Sequence, residues 1–173
     1  MNRYEDAFLW LKEAQITYPC HGIREIQSPL AQSAKKNIFK LFLNDVGTLV
    51  SNLPPETRRR ILLDSSDIPF NRKSLYENFV MQQLVANSLA PYFGSSRKLA
   101  KLDFLVEVDD QIDAIAVPSK PHGKRNIALE NLFYQKEYKI GKYIVLSRNN
   151  LRKENGILYL PIYLCGLIKN TAF

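Results

Sequence analysis

The chain has few of the residues from which metal centres, disulfide scaffolds and nucleophilic sites are built. Its 173 residues include only two cysteines and two histidines. Cys20 and Cys165 lie far apart in the sequence, so their spacing indicates neither a zinc site nor a disulfide framework. Cys20 and His21 are neighbours, but a catalytic cysteine–histidine pair is usually assembled from distant segments, so this adjacency does not indicate a nucleophile.

Long apolar runs are also missing. The longest stretch without a charged residue, 78–96, contains Gln82 and Asn87 and is too polar to span a bilayer. Glu5 and Asp6 place acidic charge where a signal peptide would need a basic segment and an apolar core. We therefore predict a cytoplasmic protein with no membrane partner.

A phosphate-binding loop of the form GxxxxGK followed by Ser or Thr is absent as well. The two Gly-Lys pairs, at 123–124 and 141–142, have Pro118 and Lys136 where the first glycine belongs. Neither pair is followed by Ser or Thr. We therefore expect no nucleotide bound by such a loop.

What is present is typical of a globular protein with a core of its own. Hydrophobic residues make up 46% of the chain, and its length allows one domain or two small ones. The net charge of +7 is concentrated in residues 97–173 and permits a nucleic-acid partner. The candidate nucleic-acid contacts are Arg58, Arg59, Arg60, Arg97, Lys98, Lys124 and Arg125. The alternative is that these are solvated surface charges.

Residues 1–63 show the periodicity of helices and one clear strand. Residues 16–30 contain prolines and a glycine and look like extended chain and turns. The turn-forming residues 64–69 predict a domain boundary. The predicted elements are a helix over 4–14, a strand within 36–44, a short helix ending at 53 and a helix over 55–63.

Residues 69–173 indicate a mixed α/β sheet with helices packed on it. Asn71 or Ser74 can cap a long helix that runs to about Leu89. Two alternating runs around Asp109-Asp110 predict a hairpin. The predicted elements after the long helix are strands over 102–108 and 112–117, a helix over 126–135, a strand over 142–146, a polar loop over 148–156 and a strand over 157–164.

The start of this hairpin is where a metal-dependent nuclease could keep a carboxylate. Such an enzyme holds Mg²⁺ through carboxylates and uses a lysine to orient the attacking water. Asp103 stands at that position, and Glu77 on the preceding helix is a second candidate acid. The alternatives are structural: Asp103 pairs with a basic side chain, and Ser74 with Glu77 has the spacing of a capping box.

The order of several segments resembles the C-terminal region of a group of prokaryotic AAA-type ATPases, a region known as a domain of unknown function. The resemblance covers essentially the whole chain. The matching segments are Trp10-Leu11, 39–49, 75–80, 102–107, 143–147 and 160–161.

This resemblance implies a winged-helix-like segment over 1–68, followed by a restriction-endonuclease-like PD-(D/E)xK domain over 69–173 with a degenerate active site. In complete relatives an ATPase module with a phosphate loop precedes both. We expect this chain to be a truncated product or an excised portion, and a separate ATPase module is a possible partner.

The chain departs from the family pattern on the second strand of the hairpin. Where the family reads Ile-Glu-Val-Lys, this chain reads Ile115-Ala116-Val117-Pro118, so the glutamate and the lysine of the nuclease motif are missing. Lys120 is two residues farther on and is a candidate replacement for the lysine. Glu107 and Asp113 are candidate replacements for the glutamate.

Three functions follow from these residues. The first is a non-catalytic module that binds another protein or DNA without cutting it and uses no cofactor. The second is a metal-dependent DNA nuclease with a rearranged site, in which Asp103, Glu77 and Lys120 act with Mg²⁺. The third is a winged-helix DNA-binding regulator that contacts phosphates through the basic helix over 55–63.

Overall fold

The computed structural model describes residues 5–63, 70–96, 99, 102–117 and 138–170. The strands are β1 Thr17–Ile23, β2 Ala34–Leu43, β3 Tyr92–Gly94, β4 Phe104–Val108, β5 Gln111–Ala116, β6 Ile140–Ser147, β7 Arg152–Glu154 and β8 Ile157–Pro161. The helices are α1 Glu5–Glu13, α2 Leu30–Ser33, α3 Val46–Ser51, α4 Pro55–Leu62, α5 Arg72–Ala86 and a 3-10 helix, Ile162–Leu167.

The described strands form one sheet of eight, in the order β2-β1-β3-β4-β5-β6-β8-β7. The β1–β2, β3–β4, β4–β5 and β7–β8 pairs are antiparallel, whereas β1–β3, β5–β6 and β6–β8 are parallel. The prediction of a mixed α/β sheet is therefore confirmed. Strands from both sides of the predicted boundary at residue 68 belong to this sheet, and 64–69 lie outside the described residues, so the division into two domains stays a prediction.

Side-chain caps mark the start of α3 and of α5. The Asp45 side chain accepts a hydrogen bond from the Thr48 backbone N–H at 2.6 Å and caps α3. Asn71 caps α5 by accepting from the Lys73 backbone N–H at 3.1 Å. Ser74 therefore lies inside α5, and the prediction of a Ser74–Glu77 capping box is wrong.

The predicted hairpin is confirmed as β4 and β5. Asp109 and Asp110 form its turn with φ of 49° and 61°, the left-handed conformation that two-residue hairpin turns require and that aspartate tolerates. Phe104 and Val106 contribute to the hydrophobic core that includes the buried residues of α5, whereas Leu105 belongs to a second core. The alternation along β4 thus buries apolar side chains in two separate cores.

The sequence prediction missed three strands. The segment predicted as extended chain and turns contains β1, β3 was not predicted, and β7 lies in the predicted polar loop. β1 tolerates Pro19 because β3 pairs only with His21–Ile23, so none of the described strands faces the position where Pro19 lacks an N–H. The last strand ends at Pro161, where the predicted strand gives way to the 3-10 helix.

Two further sequence predictions concern helices. The helix predicted over 126–135 lies outside the described residues. Among the helices that the structure does describe, none combines the length and the apolar character that crossing a bilayer requires.

A candidate site at the start of β4

Four charged side chains from three segments meet next to the sheet. Lys40 comes from β2, Lys73 and Glu77 come from α5, and Asp103 immediately precedes β4. The four-residue spacing of Lys73 and Glu77 places both on one face of α5. We call these four residues the charged cluster.

Lys73 lies between the two acids. Its Nζ is 2.5 Å from Asp103 Oδ1 and 3.5 Å from Glu77 Oε1. The other Asp103 oxygen, Oδ2, accepts a hydrogen bond from the Val117 backbone N–H at 2.7 Å. Asp103 is only 5% exposed, and both of its carboxylate oxygens therefore have partners within the chain.

Glu77 has a second cation beside it. Lys40 Nζ lies 3.6 Å from Glu77 Oε1 and 5.0 Å from the centre of the Phe93 ring. Each carboxylate of the cluster thus contacts at least one ammonium group. The two lysines balance the formal charge of the two acids.

The surroundings shift the pKa values of this cluster. Burial raises the pKa of Glu77, and the Asp103 charge adds to this, while Lys40 and Lys73 oppose it. Burial lowers the pKa of Lys73, but the charges and hydrogen bonds of Asp103 and Glu77 outweigh it, and the net shift is upward. Lys73 is therefore held as a cation between the two acids.

The structure brings together two of the three predicted catalytic candidates, Glu77 and Asp103, through a residue that the sequence reasoning did not single out. The prediction that Asp103 pairs with a basic side chain is confirmed, and its partner is Lys73. The position of Lys73 four residues before Glu77 was the signal that would have found it. Lys120 lies outside the described residues.

No acid stands across the hairpin from Asp103. The register that pairs Phe104 with Ile115 places Asp103 opposite Ala116, which is fully buried. Asp113 lies on β5 three residues before Ala116, which at the usual rise of a strand places it about 10 Å from Ala116. It accepts from the Lys142 backbone N–H at 2.8 Å, and burial raises its pKa.

Glu107, the other candidate replacement for the glutamate, also bonds outside the charged cluster. Glu107 Oε1 accepts hydrogen bonds from Ser28 Oγ at 2.8 Å and from the Leu30 backbone N–H at 3.2 Å. Neither Glu107 nor Asp113 joins the charged cluster, so the structure does not support either as a replacement for the missing glutamate.

The candidate nucleic-acid contacts on α4 are partly engaged within the chain. Arg60 pairs with Glu56 at 3.0 Å, and Arg58 donates to the Ser51 carbonyl at 3.5 Å. Arg59 is exposed. The remaining candidates, Arg97, Lys98, Lys124 and Arg125, lie outside the described residues.

Cysteine chemistry has no support at Cys20. The side chain is fully buried and donates to the Pro91 carbonyl at 3.3 Å. Burial raises the pKa of Cys20 to about 12, so the thiol stays protonated at neutral pH. Within the described ranges, no group of three or more His, Cys, Asp and Glu side chains is placed to hold a metal ion.

In comparisons with known proteins, no family model, no curated protein and no solved structure matches the chain.

Proposed function

We propose that the chain is a non-catalytic interaction module, in which a restriction-endonuclease-like scaffold with a winged-helix-like N-terminal segment binds a partner without cutting nucleic acid. The observation that carries this proposal is the position of Lys73 between Asp103 and Glu77. The resemblance to the C-terminal region of AAA-type ATPases supplies the scaffold and remains part of the proposal.

The cluster is organised as an internal ion pair. Mg²⁺ binds through carboxylate oxygens and keeps several waters. At Asp103 the two oxygens instead accept from Lys73 and from Val117. A metal would have to displace the ammonium of Lys73, and Ala116 offers no second carboxylate on β5.

The partner that we propose is a protein. A DNA-binding surface needs arginines and lysines that are free to reach phosphates along one face. Two of the three arginines on α4 instead bond within the chain. Two exposed leucines, Leu62 and Leu63, end the same helix, and exposed apolar residues of this kind are more typical of protein contacts than of phosphate contacts.

A nuclease assay tests the absence of catalysis. The purified chain is incubated with supercoiled plasmid and with single-stranded DNA, each with Mg²⁺ or Mn²⁺, beside Asp103→Ala and Glu107→Ala variants. We expect the wild-type chain to cleave no faster than Asp103→Ala. Cleavage that needs the metal, persists in Glu107→Ala and disappears in a folded Asp103→Ala variant would overturn the proposal.

One observation favours the nuclease alternative as the second candidate. Lys73 contacts both acids and so holds the place in which the alternative needs a lysine to orient water. In that case Lys73→Ala abolishes the cleavage described above, whereas Lys73→Arg keeps part of it. With no cleavage by the wild-type chain, this candidate fails.

A further inference from the structure

The outer edge of β2 is open over part of its length. β2 is a ten-residue strand at one end of the sheet, and the described residues place no strand beyond it. The Asn44 backbone N–H bonds inward to the Ile16 carbonyl at 3.0 Å. Because bonding alternates along a strand, the backbone groups of Leu43, Leu41 and Phe39 face outward.

Leu43, the last of these three outward positions, is capped. Asn78 on α5 accepts from the Leu43 N–H at 2.9 Å and donates to the Leu43 carbonyl at 3.0 Å, as a neighbouring strand would. Within the described part of the chain, no such partner is found for Leu41 or Phe39. Their two N–H and two carbonyl groups form a short template for strand pairing.

Apolar side chains lie beside this template. Phe39 and Leu41 are 39% and 40% exposed, and the Phe8 ring of α1 packs edge-on against Phe39 at 5.7 Å between ring centres. Trp10 on the same helix is 62% exposed. Exposed aromatic and aliphatic groups next to a free strand edge can contact every second side chain of a strand that adds to this edge.

The charge of β2 indicates what kind of strand fits. The strand carries Lys35, Lys36 and Lys40 and no acidic residue. Lys35 and Lys36 are exposed, beside a register shift after which the pairing with β1 resumes at Gly22 and Lys35. Opposite charges across a strand pair stabilise it and like charges destabilise it, so an added strand with carboxylates near these lysines is favoured over one with lysines there.

We propose that the outer edge of β2 at Phe39–Leu41 docks an extended segment of a partner protein that alternates apolar and acidic side chains. The proposal rests on the interaction role proposed above and names its surface and its partner class. The added strand bonds to Leu41 and Phe39, its apolar side chains lie beside Phe39 and Phe8, and its carboxylates are attracted by Lys35 and Lys36 near the start of β2.

The probe is a disulfide-closed hairpin peptide whose free strand alternates valine and glutamate, beside a control hairpin with lysine at every glutamate. Binding to the full chain is measured by fluorescence anisotropy, and amide hydrogen exchange locates the contact. We expect the glutamate hairpin to bind about tenfold more tightly and to slow exchange at the Leu41 and Phe39 amides.

Two variants test the site. Leu41→Pro removes one outward N–H and leaves the inward bonds to β1, so we expect binding to weaken about tenfold. Lys35→Glu with Lys36→Glu leaves the backbone unchanged and should reverse the preference between the two hairpins. Lys153→Glu on β7, at the opposite edge of the sheet, is the matched control and should change neither result.

Equal binding of the two hairpins, no binding, or protection confined to other strands would overturn the proposal. So would sedimentation as a dimer in which the Leu41 and Phe39 amides are already protected, because the occupant would then be a second copy. The nuclease assay distinguishes this failure from failure of the proposed function: metal-dependent cleavage with intact hairpin binding refutes only the non-catalytic role.

Discussion

The charged cluster and the open edge of β2 lie side by side and share Lys40, but they are organised in opposite ways. In the cluster, each carboxylate contacts an ammonium group, and Asp103 uses both of its oxygens. On the edge, outward backbone groups and apolar rings face away from the sheet. Under the proposed function, residues typical of catalysis stabilise the fold, whereas ordinary strand residues form the surface for a partner.

Substitutions in the charged cluster and substitutions at the β2 edge are therefore expected to have different effects. Changes in the cluster leave a buried charge or polar group without a partner and should lower the free energy of unfolding. Changes at the edge affect contacts that form only when a partner binds. They should therefore alter binding with little effect on the free energy of unfolding.

The largest effect is expected for Lys73→Met. Loss of the ammonium leaves the buried Asp103 carboxylate without its cation, and we expect the free energy of unfolding to fall by about 3 kcal/mol. Urea unfolding at pH 7 measures it, with the exposed Lys36→Met as the control. A loss no greater than that of the control would show that the cluster is not an internal ion pair.

Asn78→Ala tests the boundary between the capped and open parts of the edge. The substitution leaves the Leu43 N–H and carbonyl without partners, and we expect a loss of about 2 kcal/mol in the free energy of unfolding. Hydrogen exchange at Leu43 should also quicken. Asn37→Ala, an exposed position on the same strand, should change the unfolding free energy by less than about 0.5 kcal/mol. Equal effects of the two variants would contradict the capping role.

Glu77→Gln tests the electrostatics of the cluster through pH. Burial raises the pKa of Glu77 above its ordinary value of 4.5, so the folded state favours the protonated form. The stability that this protonation contributes is present below pH 4.5 and is lost as the pH rises through the folded-state pKa. The unfolding free energy of the wild type, minus that of Glu77→Gln, should therefore fall as the pH rises from 4.5. Urea unfolding of both proteins across this range measures the difference, and a rise would contradict the prediction.

The smallest effect is expected for Leu41→Thr. The side chain is 40% exposed, and its outward backbone groups are unchanged by the substitution. We expect the unfolding free energy to change by less than about 1 kcal/mol while the glutamate hairpin binds more weakly. A large loss of stability in thermal unfolding would place Leu41 with the structural residues of the cluster and not with the surface.

The parts of the fold that were predictable depend on local signals. The caps at Asp45 and Asn71 and the aspartate turn at Asp109-Asp110 each act within a few residues, and the elements next to them were found. β1 was missed because its proline and glycine are typical of turns, and β3 was missed because its pairing with β1 joins distant parts of the chain. His21 pairs with Tyr92, which lies far from it along the chain, so no local sequence pattern indicates this contact.

The candidate site divides in the same way. Asp103 was found from its place at the start of the hairpin and Glu77 from the preceding helix, but the residue that lies between them, Lys73, is 30 residues from Asp103 along the chain. Its contact with Asp103 depends on how α5 packs beside the start of β4. The sequence alone shows that position 116 is alanine and not an acid. It does not show that both Asp103 carboxylate oxygens accept hydrogen bonds within the chain.

The position of β1 in the middle of one half of the sheet has a consequence for how the chain folds. β1 pairs with β2 on one side and with β3 on the other, and Cys20 bonds to Pro91, 71 residues away. The loop between β1 and β3 must close before β3 gains that neighbour, and pairing across such a separation slows folding. Residues 17–43 are therefore expected to become ordered together with the β3–β4 part of the sheet, and a chain that lacks residues 1–66 should expose β3 as a new edge of the sheet.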